Sequence, residues 1–142
     1  QKYGIWDTII FEHPHRIPYL DVLVHLSEAD GIFIFGSTEA HYTPSKVFQS
    51  ILSRTPILAL LHKDSEAIAI IEKTNAGACI ALSNSDEKSE FKQRFIQEFI
   101  KWNDSKNKFT NDLTASDFNE NYSAEAMTKK LVKLLDQVKK NP

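Results

Sequence analysis

Glycine is scarce in this chain: 142 residues hold four glycines, one cysteine and one methionine. So few glycines leave no room for a glycine-cradled phosphate. Neither G-x-G-x-x-G nor G-x-x-x-x-G-K-[ST] occurs, and there is no G-x-S-x-G nucleophile elbow. A phosphate site would have to be built from a helix start and side chains instead. The single cysteine, Cys79, lies within the apolar run "ACIAL". It permits neither a disulfide framework nor a thiolate metal set, and reads as a small buried hydrophobe. A reducing, cytoplasmic setting follows from that usage.

Long hydrophobic runs are also missing. The longest reach five to seven residues, too short to span a bilayer. No charged-then-apolar segment opens the chain. No excess of basic residues is present either: the formal charge is −2, which argues against a nucleic-acid partner. What remains is an ordinary globular composition, 42% hydrophobic and 25% charged, with length enough for one domain and its core.

The chain reads as one α/β domain over 1–142, with strand–helix alternation across 7–82 and a helical region across 84–140. Strand-like runs are "DTIIFE" (7–12), "GIFIFGS" (31–37), "PILALL" (56–61) and "ACIAL" (78–82). The continuous apolar runs suit strands covered on both faces. Between them, Leu20, Leu23, Val24 and Leu26 give one helix face. Val47, Phe48, Ile51 and Leu52 give a second, from a helix expected to begin near Pro44 or Ser45. "SEAIAIIEKTNAG" gives a third helix, stopping near Asn75 or Gly77. Phe91, Phe95, Ile96, Phe99 and Ile100 mark a longer amphipathic helix. "KNKFTNDLTASDFNEN" reads as an irregular connector. Ser123 then caps a last helix striped by Met127, Leu131, Leu134, Leu135 and Val138. Such alternation followed by helices predicts a three-layer, Rossmann-like domain with a mainly parallel sheet. Ligands of such sheets bind beyond the carboxyl ends of the strands, which singles out the loops 13–18 and 37–45.

In the second loop, a helix start with free N–H groups, the hydroxyls of Thr43 and Ser45, and the charge of Lys46 together suit a phosphate or diphosphate. The same residues also allow a plainer reading, in which Thr43 only caps the helix and Lys46 is solvated. Ser37 opens the loop, Glu39 offers a carboxylate to ligand hydroxyls, and Tyr42 offers a ring for stacking. In the first loop Arg16 suits bidentate phosphate contact. His13 and His15, two residues apart with no third ligand identifiable, are a weak metal signal and suit polar ligand contacts better. His25 and His62 read as structural.

The segment "YTPSKVFQSILSRTPILA" resembles the P-S-K-[LV]-[FY]-E-x-[LM]-A-x-[GR]-x-P-[VI]-[LI]-A segment of GT-B glycosyltransferases, family 4-like ones especially. Upstream, "RIPYLDVLVHLSEADGIFIFGS" is similar to their G-R-[VI]-P-Y-x-E-[VL]-L-x-x-[LY]-x-x-A-D-[VI] segment, and "AGACIAL" to the strand after their donor site. The resemblance implies the C-terminal, nucleotide-sugar-binding half of a two-domain enzyme. That enzyme would move a sugar from a nucleoside diphosphate to an acceptor hydroxyl, with retention and without a metal or other cofactor. Carried over, His15, Arg16 and Ile17 border the base. Thr43, Ser45 and Lys46 hold the diphosphate, with Ser37, Tyr42 and Pro44 completing the loop. Gln49 takes the ribose position, and Glu39 contacts the donor sugar, so that Glu39 and Lys46 are the expected catalytic pair.

This chain departs from the family in two respects. Gln49 stands where the family has glutamate, and a neutral amide binds a diol less strongly than a carboxylate. The family's donor domain also begins with further strands and a basic pair that this chain lacks. The opening Gln-Lys-Tyr, without an initiator Met, gives the expectation of a larger parent. Its N-terminal domain would bring the carbohydrate or lipid-linked acceptor, and could place the protein peripherally at the inner face of a membrane. The isolated chain is then expected to be inactive, and a homodimer that pairs the orphaned sheet edge is a further expectation. The alternative is a non-catalytic α/β module that binds a phosphorylated ligand or a protein partner.

Overall fold

The computed structural model describes residues 3–5, 7–39, 44–109 and 116–140. Three strands, β1 (Ile32–Phe35), β2 (Ile57–His62) and β3 (Gly77–Leu82), form a parallel sheet in the order β1-β2-β3. Ile32 pairs with Ile57, and Ile57 with Gly77, so the strands run in step. β2 is central, and five of its six residues are buried. That is why its sequence is apolar without alternation.

The two sides of β2 feed two cores. Ile57, Ala59 and Leu61 pack with Ile32 and Ile34 against helices α2 (Val47–Leu52) and α3 (Glu66–Lys73). Leu58 and Leu60 turn the other way, toward Trp102, Phe91 and Phe95 of α4 (Lys88–Ser105). Helix, sheet and helix thus make the three layers that the alternation predicts. In α3, Ala67, Ile70 and Ile71 are the buried face, the i, i+3, i+4 spacing of an amphipathic helix. The chain leaves α3 through Asn75, whose φ of 49° is left-handed, a conformation asparagine tolerates.

α1 (Tyr19–Glu28) starts behind Pro18 and has no buried residue. The buried Thr55 hydroxyl holds it to the body by donating to the Leu26 carbonyl at 2.6 Å. On the other layer, Asp86 Oδ2 accepts from the Ser83 N–H at 2.9 Å and from Arg94 at 2.7 Å. Arg94 also donates to the Ala81 carbonyl, pinning α4 to the end of β3. The Ser83 N–H, then Arg94, hold the Asp86 carboxyl below its usual range. Because the folded value is lowered, this brace is intact at neutral pH and is lost as pH falls through that value.

Three expectations are corrected. Residues 7–12 are not a strand: the Ile9 and Ile10 N–H groups both donate to the Ile5 carbonyl, and Asp7 donates to Ile10. Ile10 makes only an isolated bridge, and no ladder joins this run to β1, β2 or β3. Its β-branched residues favour a strand only against a pleated surface, so it curls into a turn. The sheet therefore has three strands where four are expected. Second, α2 begins at Val47 and not at Pro44 or Ser45. Residues 44–46 form a preceding turn, closed by the Val47 N–H to the Pro44 carbonyl. Third, the connector contains α5 (Ser116–Tyr122), held because Phe118 and Tyr122 pack on Phe48 of α2. Ser123 caps α6 (Ala124–Lys140) as expected, its hydroxyl accepting the Ala126 N–H at 3.1 Å.

Cys79 packs against the α2–α3 core. Burial, and then the Glu72 carboxylate, push its thiol up to about 12. The thiolate is the reactive form, so an aromatic disulfide reagent at mildly alkaline pH is expected to leave the folded protein unlabelled. It should label one thiol per chain once urea unfolds it. Rapid labelling of the native state would contradict the burial. Among the described residues, no helix is long and apolar enough to cross a membrane.

Candidate functional site

Parallel strands deliver their loops to one end of the sheet. The connection leaving β1 ends in the turn 44–46, and α2 follows it. Loop 13–18, which leads into α1, comes to lie beside that turn. Together they wall an open cleft of about 840 Å³, within the ~300–1,000 Å³ typical of small-molecule sites. His15, Arg16 and Ile17 line one wall, and Ser45, Lys46 and Gln49 the other. Residues some thirty positions apart thus line one cleft, although loop 13–18 follows no strand, contrary to the expectation that placed it at the sheet end.

The electrostatics of this cleft are one-sided. Arg16 and Lys46 come from different walls, and neither has an ion-pair partner among the described residues. Among the described residues no aspartate or glutamate lines the cleft. Two uncompensated cations facing one space favour an anion, since low-dielectric walls focus their field. α2 has only six residues, so its dipole is small and the side-chain charges carry most of the attraction. Backbone donors help: among the described residues, the N–H groups of Phe48 and Gln49 meet no acceptor.

The wall built by loop 13–18 has its own internal order. His13 and the His15 carbonyl lie 3.2 Å apart, Nδ1 to O, and the two rings meet edge to face at 6.3 Å. Pro18 fixes the entry to α1, and the Val22 N–H donates to its carbonyl. Pro18, Tyr19 and Val22 continue the wall. Sequence reasoning missed Tyr19 and Val22, which lie in the expected helix segment but outside the face read from Leu20, Leu23, Val24 and Leu26. The signal available was the short distance from Arg16 to the first turn of that helix.

Several expected contacts lie elsewhere. Ser37 and Glu39 do not line the cleft. The Ser37 hydroxyl accepts the Glu39 N–H at 3.1 Å, a local turn on the exposed surface. Pro44 is buried beneath the turn and lines a neighbouring groove along β1. Tyr42 and Thr43 lie outside the described residues. His62 closes the turn after β2, where its Nδ1 accepts the Asp64 N–H, and α1 carries His25 in its last turn. Among the described residues, no group of three His, Cys, Asp or Glu side chains is arranged to hold a metal ion. No protein-family description, no characterised protein and no solved structure matches this chain.

Proposed function

We propose that this domain binds a nucleoside diphosphate sugar and serves as the donor half of a GT-B-type glycosyltransferase. The observation that carries the proposal is the pair of cations, Arg16 and Lys46, without an ion-pair partner among the described residues and facing one cleft at the end of a parallel sheet. The base would lie against His15, Arg16 and Ile17. The diphosphate would meet Ser45, Lys46 and the N–H groups of Phe48 and Gln49, and Gln49 would reach the ribose with its side chain. In the transfer, the bond from the anomeric carbon to the diphosphate oxygen breaks, a bond from that carbon to the acceptor oxygen forms, and the acceptor's proton passes to the departing diphosphate. The departing diphosphate gains charge at that moment, when Lys46 is most useful. The cleft lends no support to Glu39 or Ser37 as contacts, and the acceptor would come from elsewhere in a parent protein.

A second reading is favoured by a specific observation. Among the described residues no carboxylate lines the cleft, which suits a module that holds a phosphorylated ligand without catalysing transfer. Calorimetric titration with UDP, GDP and inorganic phosphate separates the two. The donor reading requires that one nucleoside diphosphate bind well above phosphate. Equal, weak binding of all three would leave only an anion site, and no binding at all would defeat both readings.

A further inference from the structure

The two walls of the cleft are the leading ends of α1 and α2, and their trailing ends meet at one side chain, Thr55. α2 stops at Leu52, and the turn that follows is tied back onto it. The Arg54 N–H donates to the Ile51 carbonyl at 3.1 Å. The Ser53 hydroxyl donates to the Ser50 carbonyl at 2.7 Å and accepts the Thr55 N–H at 3.4 Å. Arg54 makes the bend with a left-handed φ of 62°. The sheet fixes the other side: the Pro56 carbonyl accepts the Ile32 N–H at 2.9 Å, and Ile57 is fully buried. Thr55 is therefore one piece with α2 and the sheet.

Its side chain is aimed. A residue before proline is confined to extended backbone, and a β-branched residue has few χ1 choices. Thr55 is buried, and its hydroxyl donates to the Leu26 carbonyl at 2.6 Å. Leu26 lies in the last turn of α1, where helix carbonyls have no donor of their own helix. The bond spans 29 positions of sequence. It does what a local cap would do, and it also refers α1 to α2. At about 1.5 Å per residue, Tyr19 stands roughly 10 Å along the axis from Leu26. A tilt of about 10° at Leu26 would shift the loop that carries Arg16 by ~2 Å, more than a hydrogen bond tolerates.

We propose that Thr55 is a positioning residue for the cleft: its hydroxyl, by holding the Leu26 carbonyl, sets the separation of Arg16 on one wall from Lys46 on the other. Thr55 does not line the cleft, so it acts through α1. A diphosphate that meets both cations needs them at one spacing. A spacing already fixed spares the ordering that a loose wall would undergo on binding. Valine in place of Thr55 keeps the shape and loses the donor, which frees α1 to tilt. Serine keeps the donor with a freer χ1. Nucleotide affinity rests on the donor-site reading proposed above, whereas the wall separation does not, and measuring both keeps the two failures apart.

Leu20 in the first turn of α1 and Ser45 before α2 are both exposed. Nitroxide labels on Leu20→Cys and Ser45→Cys, in a Cys79→Ala background, report the separation by double electron–electron resonance. With Thr55 present, one narrow distance is expected. Thr55→Val should broaden it or move it by ~2 Å or more, and so should Thr55→Ala, while Thr55→Ser should restore it. Without labels, calorimetry should show UDP or GDP binding about fivefold more weakly to Thr55→Val, the worth of one hydrogen bond, and near the unaltered affinity to Thr55→Ser. A merely stabilising hydroxyl would lower the urea midpoint and leave both readouts in place, which would overturn the proposal. So would displaced walls with unchanged affinity. If the unaltered protein binds neither nucleotide, the donor reading falls and the label distance decides alone. An unchanged distance in Thr55→Val and Thr55→Ala then overturns the positioning, and a broadened one restored by serine upholds it.

Discussion

Gly77→Ala is expected to destabilise the domain by about 3 kcal/mol or more, far beyond the usual cost of adding a methyl group. Gly77 opens β3 directly opposite Ile57. A Cβ there would sit 1.9 Å from the Ile57 carbonyl oxygen and 2.7 Å from its nitrogen. These atoms belong to the backbone of the central strand, and no side-chain rotation relieves the clash. Nor can Ile57 retreat: its side chain is fully buried, and its N–H donates to the Ala76 carbonyl at 2.9 Å. The requirement is for space and not for an unusual φ, so serine should be no better tolerated than alanine. Urea unfolding followed by circular dichroism should show a much lower midpoint. A midpoint equal to that of the unaltered protein would mean that β2 and β3 are not packed in this register.

The second large effect concerns ligand binding. Lys46→Ala is expected to weaken UDP or GDP binding about 10–100-fold. A charged hydrogen bond to phosphate contributes ~1.5–3 kcal/mol, and each 1.4 kcal/mol is a factor of about ten. The position is exposed in the turn before α2, so the fold should be unaffected. Arg16→Ala acts from the opposite wall and should weaken binding comparably. Raising the salt concentration should weaken binding to the unaltered protein more than to either variant, because exposed charges are screened. Glu39→Gln provides the contrast: its side chain stands outside the cleft, and the affinity should stay within about twofold, an energy below ~0.5 kcal/mol. Loss of binding in Glu39→Gln with none in Lys46→Ala would move the site onto the loop after β1.

Much of this was legible in the sequence because burial leaves a periodic trace. "PILALL" announces a strand covered on both faces, and Ala67, Ile70 and Ile71 announce a helix with one buried side. The cleft was legible only in part. The loop with Lys46 follows β1 and lies at the carboxyl end of the sheet as parallel topology requires, whereas the loop with Arg16 was placed there through a strand over 7–12 that does not form. What failed has physical causes too. "DTIIFE" has the residues of a strand, but strand formation needs a partner edge, and the local bonds to the Ile5 carbonyl won. α5 was read as connector because its own pattern is weak. It is fixed by the tertiary contact of Phe118 and Tyr122 with Phe48, which no window of sequence reveals. Glu39 was assigned to the site through its place in the loop, yet its turn with Ser37 directs it elsewhere.

The central claim is that loop 13–18 and the start of α2 form a single nucleotide site. Following backbone amide shifts of the isotopically labelled chain while UDP, and then GDP, is added tests this most directly. The account predicts that one of the two shifts the amides of residues 15–19 and 45–49 together, on one saturation curve, with β3 and α6 unmoved. Shifts confined to one loop, shifts centred on another part of the fold, or no shift with either nucleotide would contradict it.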